Sequence, residues 1–242
     1  MKVAAYQSPL ATLQCDDALR LIREQIDRCE SLGVEMLCCA EGVLGGLADY
    51  VEDPAAIAID IERGQLNETV AALASDIVTT ILGFTETVDD GRLYNSAAII
   101  HRGSVVGIYR KLHPAINRSV YAPGTKTPVF TVDSLTFGIL LCRDSTFAEP
   151  AAAMVAQGAT ALFVPTNNGM PASKGGTALV AEARTNDIAL AKRHGVPVIR
   201  ADVAGRAGDL VSFGSTSIMD RTGAVLACPR PLEAALIIAD LP

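Results

Sequence analysis

Short apolar runs rich in β-branched residues alternate with longer segments whose apolar residues recur three or four apart, and this alternation continues along most of the chain. A strand covered on both faces reads as an unbroken apolar run, and the helix that covers it reads as a stripe of helical period. The pattern therefore restricts the fold to sheet with helices laid against it. Lys2 to Gln7 reads as a strand. Asp16 to Leu32 reads as a helix with Leu19, Ile22, Ile26 and Cys29 on one face, and Val34 to Cys39 as a buried strand. A second helical stretch is predicted within Pro54 to Ser75, with Asp53 as its N-cap and Pro54 at the first helical position. Ile77 to Thr85 is the next strand.

From Leu93 the pattern changes. Leu93 to His101 and Val105 to Lys111 are strand-like and are joined by Arg102-Gly103-Ser104, which is hairpin chemistry. Leu112 to Thr127 reads as a loop. Val129 to Thr131 and Leu135 to Leu141 form a second hairpin around Asp133-Ser134. A helix near Glu149 to Gln157, a strand Ala161 to Val164, a helix within Thr177 to His194 and a strand Val196 to Ala201 follow. Phe213 to Met219, Ala224 to Ala227 and Ala235 to Ala239 complete the set. About a dozen strands are too many for one comfortable open sheet, so two packed sheets with helices outside are expected, a four-layer α-β-β-α sandwich. At 242 residues with half of them apolar, one domain spanning residues 1–242 is expected.

Charge and composition narrow the partners. Twenty Lys and Arg against 27 Asp and Glu leave a net charge of −7, with no basic run to track phosphates, so nucleic acid is not an expected partner. The longest charge-free stretch, Pro150 to Ser173, carries Pro165, Pro171, Gln157, Asn167 and Asn168, which a spanning helix of ~20 apolar residues does not tolerate. No membrane span is expected. The N-terminus enters a strand directly, without a basic region followed by an apolar one, and a cytoplasmic protein follows as the expectation. The six cysteines then read as free thiols, and with no CxxC pair and His101, His113 and His194 scattered, a zinc site is not expected.

Three residues stand out by context. Glu41 ends a buried run where the chain emerges into Gly42-Val43-Leu44-Gly45-Gly46, a placement suited to acid–base work, although the segment alone favours a surface-loop glutamate. Lys111 ends a strand; beside Arg110 it also reads as a solvated charge. Cys142 ends the run Phe137 to Leu141 and precedes Arg143-Asp144 and a helix start, where N–H groups and the dipole would favour thiolate; a packed core cysteine is the plainer reading. Serine-hydrolase, nucleotide-hydrolase and dinucleotide readings lack their glycine motifs.

Taken together these segments resemble the nitrilase, or carbon-nitrogen hydrolase, family. The likeness rests on Glu41 after its strand, Leu93 to Ala98 leading through a hairpin to Gly107-Ile108-Tyr109-Arg110-Lys111-Leu112-His113, Gly138 to Asp144 running on to Phe147 and Glu149, Ala183-Arg184 on the long helix, and Phe213 to Asp220 with Gly223 to Leu226. The resemblance implies the sandwich fold and a Glu-Lys-Cys triad: Cys142 as nucleophile, Glu41 as general base and then acid, and Lys111 as electrostatic partner, with no metal or organic cofactor. It implies a small amide or carbamoyl substrate, with nitrile hydrolysis the less favoured branch. Asn117, Arg143, Phe147, Asn167 and Asn168 are the candidate substrate-binding residues. The chain departs from the family pattern in having no carboxylate between Lys111 and Asp133, where Asn117 and Ser119 stand in the place of a second glutamate, in Ala40 before Glu41, and in Asp187-Ile188 on the long helix. The missing carboxylate keeps a second reading open, a catalytically silent relative that binds a small ligand or another protein. Alanine-rich helices, Ala151 to Gln157 and Ala178 to Ala191, lead to the expectation of a homodimer or higher homo-oligomer.

Overall fold

The computed structural model describes residues 1–11, 15–174 and 176–241. It has the expected four layers. The first half of the chain supplies β1 (Lys2–Pro9), α1 (Cys15–Ser31), β2 (Met36–Cys38), β3 (Ile59–Asp60), α2 (Gln65–Val70), β4 (Thr79–Thr87), β5 (Leu93–His101) and β6 (Ser104–Arg110). The second half supplies β7 (Val129–Val132), β8 (Leu135–Ile139), α3 (Ala148–Ala156), β9 (Ala161–Pro165), β10 (Met170–Pro171), α4 (Thr177–His194), β11 (Val198–Ala201), β12 (Val203–Ala207), β13 (Leu210–Ser212), β14 (Ser217–Met219), β15 (Val225–Ala227) and β16 (Ala235–Asp240). The larger sheet runs β10-β13-β12-β1-β2-β4-β5-β6, with β16 beside β1 and β3 beside β4; the smaller runs β15-β14-β11-β9-β8-β7.

The period-two rule explains the layering. Val3, Ala5, Met36, Cys38, Ala97 and Ile99 face the smaller sheet and pack in one core with Phe137, Ile139, Ile199 and Ile218. Their alternates, Ala4, Tyr6, Leu37, Ala98 and Ile100, face outward onto Ile22, Ile26 and Cys29 of α1. β2 is thus buried on both faces, which is why its sequence shows no polar alternation. On the other side Ala151 and Met154 of α3 and Leu190 and Ala191 of α4 join the core with the smaller sheet. The hairpin turns fall where expected, with Arg102 and Gly103 both at positive φ and Asp133 at φ 50°.

Two expectations are corrected. Pro54 to Ser75 is not one helix. Asp53 does accept the Ala55 N–H at 3.1 Å and Pro54 opens a helical turn, but it is a 3₁₀ turn ending at Ile57. β3 follows, Asp60 accepts from Glu62 and Arg63 N–H, and the chain turns through Gly64 at φ 79° before α2. Local side-chain hydrogen bonds thus displace the helical ladder. The run Phe213 to Met219 is strand only from Ser217, while β12 and β13 form a further hairpin from Val203 to Ser212, a segment whose Gly, Arg and Asp content hides it from an apolar-run search.

Candidate active site

Glu41, Lys111 and Cys142 all emerge just beyond strand ends, after β2, β6 and β8, and all three line one cavity of about 260 Å³. Glu41 is held from several sides. Its N–H donates to Thr166 O at the end of β9 (3.2 Å), and its Oε1 accepts Lys111 Nζ (2.5 Å) and Asn95 Nδ2 (2.8 Å). Its Oε2 accepts the Asn167 N–H (3.0 Å). Glu41 and Lys111 are 1% and 3% exposed, so this is a buried ion pair with supporting hydrogen bonds, the arrangement in which two charges are tolerated out of water. Burial is the largest single effect and works against the ammonium, but the charge and hydrogen bond of Glu41 together with the smaller pulls of Cys142 and Asp144 outweigh it and hold the Lys111 pKa above its ordinary value.

Close approach of two strand regions makes this placement possible. Gly83 in β4 donates to Ala40 O (3.1 Å), and a Cβ on Gly83 would sit 2.4 Å from Gly42 N and 2.6 Å from Glu41 Cα. Only a hydrogen fits there.

Cys142 opens a short 3₁₀ turn, Cys142–Thr146, at φ 46°, a left-handed backbone conformation that non-glycine residues seldom adopt. The turn reverses the chain between β8 and α3, so that the thiol opens onto the cavity. The expected thiolate-favouring environment is not what forms. The helix proper starts only at Ala148, and burial together with the Glu41 charge pushes the thiol up to about 12, against opposing pulls from Lys111 and Arg200. The residue keeps some accessible surface, but it faces a narrow cavity and its sulfur is poorly solvated.

The other sequence candidates divide. Arg143, Asn167 and Asn168 line the cavity. Arg143 is exposed at its mouth, where Nη1 donates to Ala115 O (3.1 Å) and Pro114 O (3.3 Å). Asn167 serves Glu41: besides its N–H, its Nδ2 reaches Glu41 O at 3.4 Å, and its Oδ1 accepts Gly169 N–H at 3.1 Å. Asn117 is exposed on the loop, outside the lining residues. Phe147 also lies outside the lining and stacks on His113, ring centroids 3.8 Å apart.

Several supporting residues escaped the sequence reading. Asp144, fully buried, accepts the Tyr109 hydroxyl (2.8 Å) and the Leu112 and His113 N–H groups (3.2 and 2.8 Å), tying the segment after Lys111 to the turn that carries Cys142. Asp49 pins the far end of the same loop, its Oδ1 accepting Val120 N–H (2.8 Å) and its Oδ2 Ser119 Oγ (2.9 Å). Arg200 of β11 is clamped by Asp187 of α4 at 2.7 and 2.5 Å and donates to Thr166 and Ser145 beside the cavity. A signal existed for Asp144, two residues after Cys142; Asp187 stood in view as a family departure, but its partner did not. Among the described residues no group of three or more His, Cys, Asp or Glu is gathered as metal ligands would be, and no helix is long and apolar enough to cross a membrane.

Comparison with known proteins matches the chain to a family. A Schizosaccharomyces pombe protein named as a probable nitrilase is 31% identical over 169 residues, 68% of this chain and 60% of the relative. The N-carbamoylputrescine amidase of Solanum tuberosum is 31% identical over 163 residues, 60% of this chain and 54% of that enzyme. The matched region thus spans little more than half the length of these relatives. Among solved structures, an amidase of the nitrilase superfamily from Nesterenkonia sp. AN1 superposes with a TM-score of 0.84 over all of this chain and 90% of that one, at 22% identity, a likeness of fold. The model of the carbon-nitrogen hydrolase family matches residues 2–242, and the chain belongs to that family.

Proposed function

We propose that this protein hydrolyses a non-peptide carbon–nitrogen bond of a small amide or carbamoyl compound through a thioester on Cys142, releasing ammonia. The observation that carries the reading is the convergence of Cys142 with the buried Glu41–Lys111 pair on one cavity. The names of the similar amidases support the substrate class.

In this mechanism the resting thiol is neutral, as its raised pKa requires, so Glu41 takes the thiol proton as sulfur attacks the substrate carbon. The carbonyl π electrons move to oxygen. Lys111 and the N–H of Arg143, at the start of the turn where N–H groups lack helical acceptors, stabilise that oxyanion. The proton on Glu41 passes to nitrogen, the carbon–nitrogen bond breaks, and ammonia leaves. Water then attacks the thioester while Glu41 accepts its proton, and collapse returns the proton to sulfur and releases the acid. Each half-reaction uses one carboxylate in both directions, so no second base is needed.

Ammonia release from a panel of primary amides, carbamoyl amines and nitriles tests this, with mass spectrometry of the intact protein during turnover. An acyl adduct on Cys142, lost in Cys142→Ala, is the expected result. A panel that releases no ammonia, or an adduct on another cysteine with Cys142→Ala still active, overturns it and leaves the ligand-binding reading. Turnover of nitriles alone moves the assignment to that branch.

A further inference from the structure

Asn168 differs from its neighbour Asn167 in what its side chain has left to offer. Its N–H donates to Asp202 Oδ1 (2.9 Å), and its Nδ2 donates to Asp202 Oδ2 (3.0 Å) and Ser215 Oγ (3.1 Å). The chemistry of the partners fixes which end of the amide points where. A carboxylate only accepts, so the atom facing Asp202 is the nitrogen. Ser215 gives its single hydroxyl hydrogen to Asp202 Oδ2 (2.6 Å), so toward Asn168 the serine oxygen is the acceptor. Asp202 is itself immobile, fully buried and also accepting the N–H groups of Val203 (2.8 Å) and Ser215 (2.9 Å). Both amide hydrogens of Asn168 are therefore engaged, the flipped orientation would set a carbonyl oxygen against a carboxylate, and Oδ1 is left with no partner among the described residues.

Asn168 lines the same cavity as Cys142 and Glu41. We propose that Asn168 is a specificity-determining residue whose Oδ1 accepts an N–H of the scissile amide or carbamoyl group. The inference rests on the amidase reading and adds the reason an amide is preferred. On that reading Lys111 and the Arg143 N–H are donors for the substrate oxygen; Asn168 supplies a neutral acceptor for the substrate nitrogen, so the group is read at both ends. An ester of the same acyl group has no hydrogen to give and leaves Oδ1 unpaired. Sites built to bond a substrate N–H discriminate strongly against analogues lacking it, because the site's own polar atom is then stranded. A carboxylate at this position would add a second negative charge against Asp202, which is why an amide side chain suits the place.

Wild type, Asn168→Ala and Ser215→Ala are compared on butyramide and methyl butyrate, reading ammonia and methanol release, with thermal melts to show that each variant is folded. For Asn168→Ala, kcat/KM is expected to fall about tenfold or more on the amide and less than about threefold on the ester. Ser215→Ala, which frees one amide hydrogen and loosens the orientation, is expected to lower the amide-to-ester ratio in the same direction by a smaller factor. Equal losses on both substrates, or no loss on either, overturn the proposal. Binding of the two compounds to Cys142→Ala and to Cys142→Ala/Asn168→Ala, followed by ligand-observed NMR, decides it without turnover. Butyramide binding that weakens with Asn168 while methyl butyrate binding does not upholds Asn168 even if wild type releases no ammonia, the outcome that overturns the hydrolase reading alone. Butyramide that fails to bind, or binds equally to both variants, overturns the inference.

Discussion

Lys111 Nζ lies 2.5 Å from Oε1 of Glu41, the same oxygen that accepts the Asn95 amide, and both side chains are buried in the wall of the cavity. Removing the cation acts twice. Lys111→Ala is expected to lower kcat by ~10² or more, the size of a lost oxyanion donor. It also strands a buried carboxylate, at a cost of about 3–5 kcal/mol in stability. Steady-state rates corrected for the folded fraction, together with urea melts, separate the two; near-normal kcat would confine Lys111 to charge balance.

Alkaline pH should unfold this protein early. Burial pushes the Cys29 and Cys142 thiols from 9.0 up to about 12, and the Tyr6 and Tyr121 hydroxyls from 10.0 up to about 12. In the unfolded chain these groups release protons from pH 9 or 10 upward, whereas the native state keeps them until about 12. The unfolded state then binds fewer protons, so stability is full below pH 9 and declines through the window from 9 to 12. Melting temperature measured from pH 7 to 11 should stay level as far as these groups are concerned up to 9 and then drop. Cys29→Ala should make the drop shallower; an unchanged slope would remove Cys29 from the account.

Arg200, 3% exposed, depends on Asp187 for its charge balance. Asp187→Asn removes the paired counter-charge of the buried guanidinium, leaving only the weaker pull of Asp202, and is expected to cost about 3–5 kcal/mol by chemical denaturation. A loss under about 1 kcal/mol would mean that Thr166 and Ser145 suffice to satisfy Arg200.

Asp49 should act on substrate capture. It holds Ser119 and Val120 at one end of the loop whose Pro114, Ala115 and Ile116 wall the cavity. Asp49→Ala is expected to raise KM several-fold with kcat changed less than about twofold, since the reacting groups are held from other segments. A fall in kcat at constant KM would place Asp49 nearer the chemistry.

The alanine-rich helices bear on self-association. Ala152 and Ala156 of α3 and Ala178, Ala181 and Ala189 of α4 are exposed. Light scattering at micromolar concentration is expected to give a mass of at least twice the 25.3 kDa chain. A monodisperse particle at the chain mass would assign those alanines to the surface of a monomer.

Most of the central strands were readable in the sequence because each is an apolar run, and the helix read within Thr177 to His194 is α4, Thr177–His194. The segment from Pro54 was not readable as it stands, since Asp60 and Gly64 decide its course through local hydrogen bonds and positive φ rather than through periodicity. At the site, position on the chain was legible and environment was not. Cys142 does end a strand before a helical turn, but its proton affinity is set by burial and by Glu41, which lies far off in sequence and near in space. The same holds for Asn95 and Asp202, whose side-chain partners Glu41, Asn168 and Ser215 sit on loops distant in sequence. Asn117 shows the converse: composition placed it in a loop and the family resemblance placed it beside the site, and only the path of that loop turns it to solvent.

The close approach at Gly83 makes the Glu41 carboxylate hostage to a position outside the cavity lining. A single methyl there must shift the backbone of Glu41, the proposed general base, while Cys142, Lys111 and Glu41 itself all remain in the sequence. In this chain the three residues in their proper order are therefore not enough by themselves to place the carboxylate. Gly83 is the fourth requirement, and a variant of this chain that keeps all three but carries a larger residue at that place is the natural subject in which to look for binding without turnover.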